Sequence, residues 1–133
     1  MMYVTDTHAL IHHVTDRKRR LGRKARDIFD RSDRGRDTII VPFSALEEVL
    51  LLSEAGRIHI PLPFREFVIS LDKAENVDLG VNDTAVLLEA ATFTTIRDPF
   101  DRMIVAQARV AGVPLITGDD EIHESGLVRT VWD

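Results

Sequence analysis

Short β-branched runs alternate with longer amphipathic stretches along this chain, and no hairpin signal of the Asn-Gly kind occurs between them. Strands separated by helices cannot pair as hairpins. The alternation therefore predicts βα units, a mostly parallel sheet, and helices on both faces of it. Tyr3-Val4-Thr5 reads as a strand ending at Asp6, and a helix starts at Thr7, with Thr7 in the capping position. From Leu21 to Asp33, Leu21, Ala25, Ile28 and Phe29 share one helical face. Thr38-Ile39-Ile40-Val41 is a second strand stopped by Pro42, and Phe43 to Ala55 is a helix closed by Gly56. Further along, Pro63 to Leu71 reads as a helix, Asn76 to Leu79 as a short strand, and Asp83 to Ala91 as a helix capped by Asn82. Asp98 to Ala111 is another helix, ended by Gly112, and Val113 to Thr117 and Val128 to Trp132 are the last strands. A chain of 133 residues suits one domain spanning 1–133.

In parallel sheets of this kind, ligands bind beyond the carboxyl ends of the strands. Asp6 and Asp119 both follow strands, so they are expected at that edge. Glu48 shares a helical face with Ala45, Leu51, Leu52 and Ala55, where a carboxylate is costly unless it is paired or bound to metal. Its neighbour Glu47 points about 100° away, toward water. In Asp98-Pro99-Phe100-Asp101, Asp98 suits the N-cap and Pro99 the first turn. That leaves Asp101 in the positive field of the helix N-terminus, which favours its ionised form. Arg102, next along, reads as a surface ion-pair partner. After Thr117-Gly118, Asp119 is the expected ligand and Asp120 the expected cap of a short helix around Glu121.

Four carboxylates brought to one edge repel each other unless a cation neutralises them. Oxygen ligands in a chain without cysteine select Mg²⁺ or Mn²⁺ over zinc. The five histidines have no zinc-site spacing; His8 and His12 read as ordinary helix residues, with His8 near Asp6. No phosphate-cradling glycine loop exists, and Ser44 lacks triad partners at a recognisable spacing. The lack of an early Asp-x-Asp pair argues against aspartyl-phosphate chemistry.

Charge is strongly segregated. Residues 17–36 hold ten of the 17 Lys and Arg against three acids, a balance of +7, whereas the rest of the chain stands at −12. Such a basic arm on an acidic body suits a protein that holds a polyanion beside a metal cluster. Arg17, Lys18, Arg19, Arg20, Arg23 and Lys24 are the candidate polyanion contacts, and RNA contacts if the chain is a ribonuclease; a solvated helix or a docking surface for an acidic partner would look the same. No apolar run approaches the roughly 20 residues of a membrane helix, and no secretory signal is visible. The absence of cysteine fits a cytoplasmic location.

Four segments together resemble the PIN-domain ribonucleases, and within them the VapC-type toxins of toxin–antitoxin pairs. Val4-Thr5-Asp6-Thr7-His8-Ala9-Leu10 looks like the family's first acidic motif, and Val41-Pro42 with Leu46-Glu47-Glu48 and Gly56-Arg57-Ile58 looks like the second. Counting back eight residues from Gly56 places the family's glutamate on Glu48. Asp98-Pro99-Phe100-Asp101-Arg102-Met103-Ile104-Val105-Ala106-Gln107-Ala108 is the most specific piece, and Leu115-Ile116-Thr117-Gly118-Asp119 supplies the fourth acid. The resemblance implies a three-layer α/β/α fold and an endoribonuclease in which Asp6, Glu48, Asp101 and Asp119 hold one or two Mg²⁺ ions. Thr7, Asp98, Thr117 and Asp120 are then placed to support those ligands. It also implies a homodimer and a small antitoxin that blocks the site. Many relatives carry an aromatic residue where His12 stands; that departure touches packing. A non-catalytic PIN-like module that docks RNA or protein is the alternative reading, and a phosphatase of another α/β family is a third.

Overall fold

The computed structural model describes all residues from Met1 to Asp133. Five strands form one sheet: β1 (Met2–Thr5), β2 (Thr38–Val41), β3 (Val77–Leu79), β4 (Leu115–Ile116) and β5 (Thr130–Val131). Their spatial order is β3-β2-β1-β4-β5, and every neighbouring pair is parallel. The mostly parallel sheet expected from the strand–helix alternation is thus wholly parallel. β2 coincides with its β-branched run and β1 begins one residue earlier, at Met2, while β3, β4 and β5 are shorter than the runs expected for them, because only residues in register with a neighbour complete the ladder. Val4 pairs with both Ile40 and Leu115, which makes β1 the central strand.

Seven helices flank the sheet: α1 (Thr7–Val14), α2 (Arg23–Asp33), α3 (Phe43–Glu54), α4 (Phe64–Lys73), α5 (Thr84–Ala90), α6 (Pro99–Ala111) and α7 (Asp120–Ser125). A 3₁₀ turn at Lys18–Arg20 precedes α2. Successive strand residues point to opposite faces. Ile39 and Val41 accordingly join Leu10, Ile28, Phe29 and Val49 in one core, and Ile40, between them, joins Val86, Ile104 and Val105 in the other. The result is three layers, α/β/α. Burial on both faces explains why the strands read as continuous apolar runs rather than alternating ones.

Caps differ from expectation at three places, always by one residue. Asp6 caps α1, accepting from Ala9 N at 2.8 Å, so Thr7 is already helical; its buried hydroxyl has no partner. Asp83 rather than Asn82 caps α5, while Asn82 Nδ2 donates to Ser44 Oγ at 3.0 Å. Asp119 rather than Asp120 caps α7, accepting from Ile122 N at 2.9 Å. In each case the capping residue is the last one with extended backbone, and its side chain reaches the amide three residues on. Asp98 and Pro99 sit as expected at the start of α6, and Gly112 ends it at φ 67°.

Candidate active site

The strand order reverses between β1 and β4, and the carboxyl ends of these two strands lie side by side. A crevice opens at that point in parallel α/β sheets. Asp6 leaves β1 there, and Thr117-Gly118-Asp119 leaves β4. Asp6 is 6% exposed. Its Oδ2 accepts from Thr117 Oγ1 at 2.5 Å, and the same hydroxyl accepts from Asp119 N at 3.1 Å. One buried threonine therefore fixes both acids relative to the sheet. Burial raises the pKa of Asp6, and the Asp119 carboxylate raises it further; the bonds from Thr117 and Ala9 and the nearby His8 act against this.

Asp101 enters from the first turn of α6, its amide held by Asp98 Oδ1 at 3.0 Å. Contrary to the ionised form expected from the helix N-terminus, its pKa is raised to about 7, first by burial and then by the carboxylates of Asp98, Glu48, Asp119 and Asp6. Glu48, Asp119 and Asp6, from remote parts of the sequence, are thus close enough to act on Asp101. Glu48 is half-buried on α3, and its Oε1 is buried with no hydrogen-bond partner. The face argued for Glu48 is only partly apolar core: Ala45 is buried, yet Leu51 and Ala55 are exposed. Glu48 stands at the border of α3's buried face, and its carboxylate is near enough to Asp101 to raise that group's pKa. Glu47 is exposed, as expected.

A cavity of about 280 Å³ is lined by Asp6, His8, Ala9, His12, Asp101, Gly118, Asp119 and Trp132. Glu48 is not part of its lining. His8 and His12, taken as ordinary helix residues, face this cavity. Their four-residue spacing on the helix that starts at Asp6 was the available signal. Trp132, the residue after β5, also lines the cavity, and nothing in the local sequence marks what it covers. Arg102 makes no surface ion pair; its Nε donates to the Ala90 carbonyl at 3.0 Å and ties α6 to the end of α5. Asp98 and Asp120 are both exposed at the rim.

All ten cations of the 17–36 segment are exposed. Of the six singled out for RNA, Lys24 lines a groove beside Asp119, while Arg17 and Arg20 act on His12, whose pKa is lowered first by burial, then by His8 and these two cations.

No three Asp, Glu or His side chains already converge on a single ligating point. The donor set nonetheless fits a hard divalent cation: oxygen ligands, an orphaned Glu48 oxygen, and an Asp101 whose pKa is pushed up to about 7, first by burial and then by its carboxylate neighbours. Mg²⁺ typically takes one or two carboxylates and keeps several waters, which suits acids gathered this loosely.

The model of the PIN-domain family matches residues 3–126, nearly the whole chain. The chain belongs to the PIN-domain family. No curated protein sequence matches it. Solved structures place this PIN domain among similar folds. VapBC2 from Rickettsia felis, bound to a DNA fragment from its promoter, matches over 100% of both chains with a TM-score of 0.71 at 14% identity. DNA-bound VapBC from Salmonella typhimurium matches over 98% and 97% of the two chains, with a TM-score of 0.68 at 16% identity. VapBC-1 from nontypeable Haemophilus influenzae gives a TM-score of 0.64 at 15% identity, over 98% and 97%. At these identities the likeness is one of fold.

Proposed function

We propose that this PIN domain is a Mg²⁺- or Mn²⁺-dependent endoribonuclease, the toxin of a toxin–antitoxin pair. The observation that carries the reading is the cavity of about 280 Å³ at the switch point of the sheet, lined by Asp6, Asp101 and Asp119 together, in which burial first and neighbouring carboxylates second push the Asp101 pKa up to about 7. Asp6, Glu48, Asp101 and Asp119 would hold the cation. When bound, a divalent cation lowers the pKa of a coordinated water and offsets charge on the scissile phosphate. Thr117 keeps Asp6 and Asp119 aligned, and Asp119 or Asp101 orients the attacking water by accepting its proton in a hydrogen bond. His8 and His12 line the cavity, and Arg17 and Arg20, close enough to lower the His12 pKa, attract the RNA backbone.

The fold shared with VapBC structures supports the toxin half of the reading and a small antitoxin partner. Val81, Leu87 and Leu88 are 63%, 60% and 63% exposed around α5, apolar surface that suits a homodimer. No helix is long and apolar enough to cross a membrane, which agrees with a cytoplasmic toxin.

The experiment is cleavage of total RNA with Mg²⁺ or Mn²⁺, with and without EDTA, by the wild type and Asp6→Asn. Cleavage that needs the cation and disappears in the folded variant is expected. Full cleavage by Asp6→Asn rejects the site. RNA binding without cleavage under either cation favours a docking module instead. For the toxin role, expression in a bacterial host should arrest growth, and co-expression of the adjacent small reading frame should restore it.

A further inference from the structure

The acid cavity shares one wall with a larger groove of about 450 Å³: Gly118, Asp119 and Trp132 line both. On the groove side, Lys24 comes from the first turn of α2 and Arg129 from the residue before β5. Trp132 is the only tryptophan in the chain and is half-buried. Its position is tightly set. A Cβ on Gly118 would fall 2.6 Å from the indole Cε2, so the ring lies directly against the Gly118 backbone. Its carbonyl accepts from Ala25 N at 3.0 Å, in the first turn of α2. The chain therefore holds one rigid aromatic ring on the wall between the acid cavity and a groove in which two cations, Lys24 and Arg129, stand with the carboxylates of Asp119, Asp120 and Asp133.

Single-stranded nucleic acid is bound by this combination: aromatic rings for the bases and a cationic track for the backbone. Asp119, Asp120 and Asp133 also line the groove, so a polyanion is accepted only once the carboxylate end is neutralised. We propose that this groove is the subsite for the nucleotide adjacent to the scissile phosphate, with the Trp132 indole stacked on its base and Lys24 and Arg129 holding its phosphate. The proposal rests on the ribonuclease reading and adds to it the direction in which the RNA strand leaves the acids.

The lone tryptophan makes the test direct. A 2′-O-methyl hexauridylate, resistant to hydrolysis, is titrated in excess Mg²⁺ into the full-length protein. Indole emission is followed with the unlabelled oligonucleotide, and anisotropy with an end-labelled copy. A saturable loss of emission, with the same midpoint as the anisotropy, is expected. Trp132→Ala should weaken binding roughly tenfold, whereas Trp132→Phe should stay within about threefold of wild type. Lys24→Ala and Arg129→Ala should each weaken binding while emission still falls at saturation. Anisotropy that rises with unchanged emission overturns the subsite and leaves the ribonuclease reading standing; a protein segment then becomes the better occupant. No binding in either channel overturns both. Should Trp132→Ala fail to fold, the wild-type emission and Trp132→Phe still decide.

Discussion

Thr117 Oγ1 donates to Asp6 Oδ2 at 2.5 Å across 111 positions of sequence. Because the same oxygen accepts from Asp119 N, the hydroxyl has one orientation and both neighbours are served by it. This contact joins the ends of the two strands that flank the switch point, and it turns two separate strand-end acids into one device.

Thr117→Val keeps shape and removes the hydroxyl. Asp6 then loses a donor in a buried setting, and the Asp119 amide loses its acceptor. Outer hydrogen-bond partners of this type are worth roughly 10- to 100-fold in metal affinity or turnover. A fall of that size is expected in RNA cleavage, with Thr117→Ser recovering most of it. Undiminished activity in Thr117→Val would show that the acids need no such alignment.

Glu48→Gln addresses the orphaned oxygen. An amide cannot replace a carboxylate as a strong ligand for a hard cation. Cation affinity should drop at least about tenfold, as for other ligand-supporting groups, while far-ultraviolet circular dichroism stays unchanged. Equal affinity in wild type and variant would remove Glu48 from the cation site.

Asp101 sets the pH dependence. Its folded-state pKa of about 7 lies above the ordinary 3.8, first through burial and then through neighbouring carboxylates. The unfolded chain gives up this proton earlier, so between 3.8 and about 7 the folded state binds more protons. Without divalent cation, this group's contribution is full below the ordinary pKa, declines as pH rises, and is lost once pH passes about 7. Melting curves should therefore show Asp101→Asn gaining on the metal-free wild type between pH 5 and pH 8 (a range chosen to span the titration). A constant difference across that range would contradict the repulsion.

Salt dependence reports on the cationic track. Each phosphate contact on a single strand contributes about 0.7 to the slope of log affinity against log salt. Lys24→Ala should lower the slope by about that amount. Arg36→Ala, exposed beyond the C-terminal end of α2, should leave it unchanged. Equal slopes for Lys24→Ala and wild type would detach α2 from RNA.

Much of this architecture is legible in the residues themselves. Ile39-Ile40-Val41 and Leu115-Ile116 announce buried parallel strands, and Asp6 and Asp119 announce the edge they end on. Caps slipped by one residue because Asp6-Thr7, Asn82-Asp83 and Asp119-Asp120 each offer two good capping side chains, and only the backbone angle separates them. Arg102 bonds a carbonyl on another helix rather than a surface acid, a partner that no local pattern encodes. The place of Trp132 depends on β5 pairing with β4, which brings the indole over Gly118, a long-range contact that the local sequence does not encode.

The central claim is that these carboxylates crowd together and that a divalent cation relieves the crowding. Calorimetric titration of Mn²⁺ into the wild type and Asp101→Asn at pH 8, above the Asp101 pKa of about 7, tests it most directly. Saturable binding in the wild type, lost in the folded variant, is the expected result. No heat of binding in the wild type, or identical isotherms in both proteins, would contradict it.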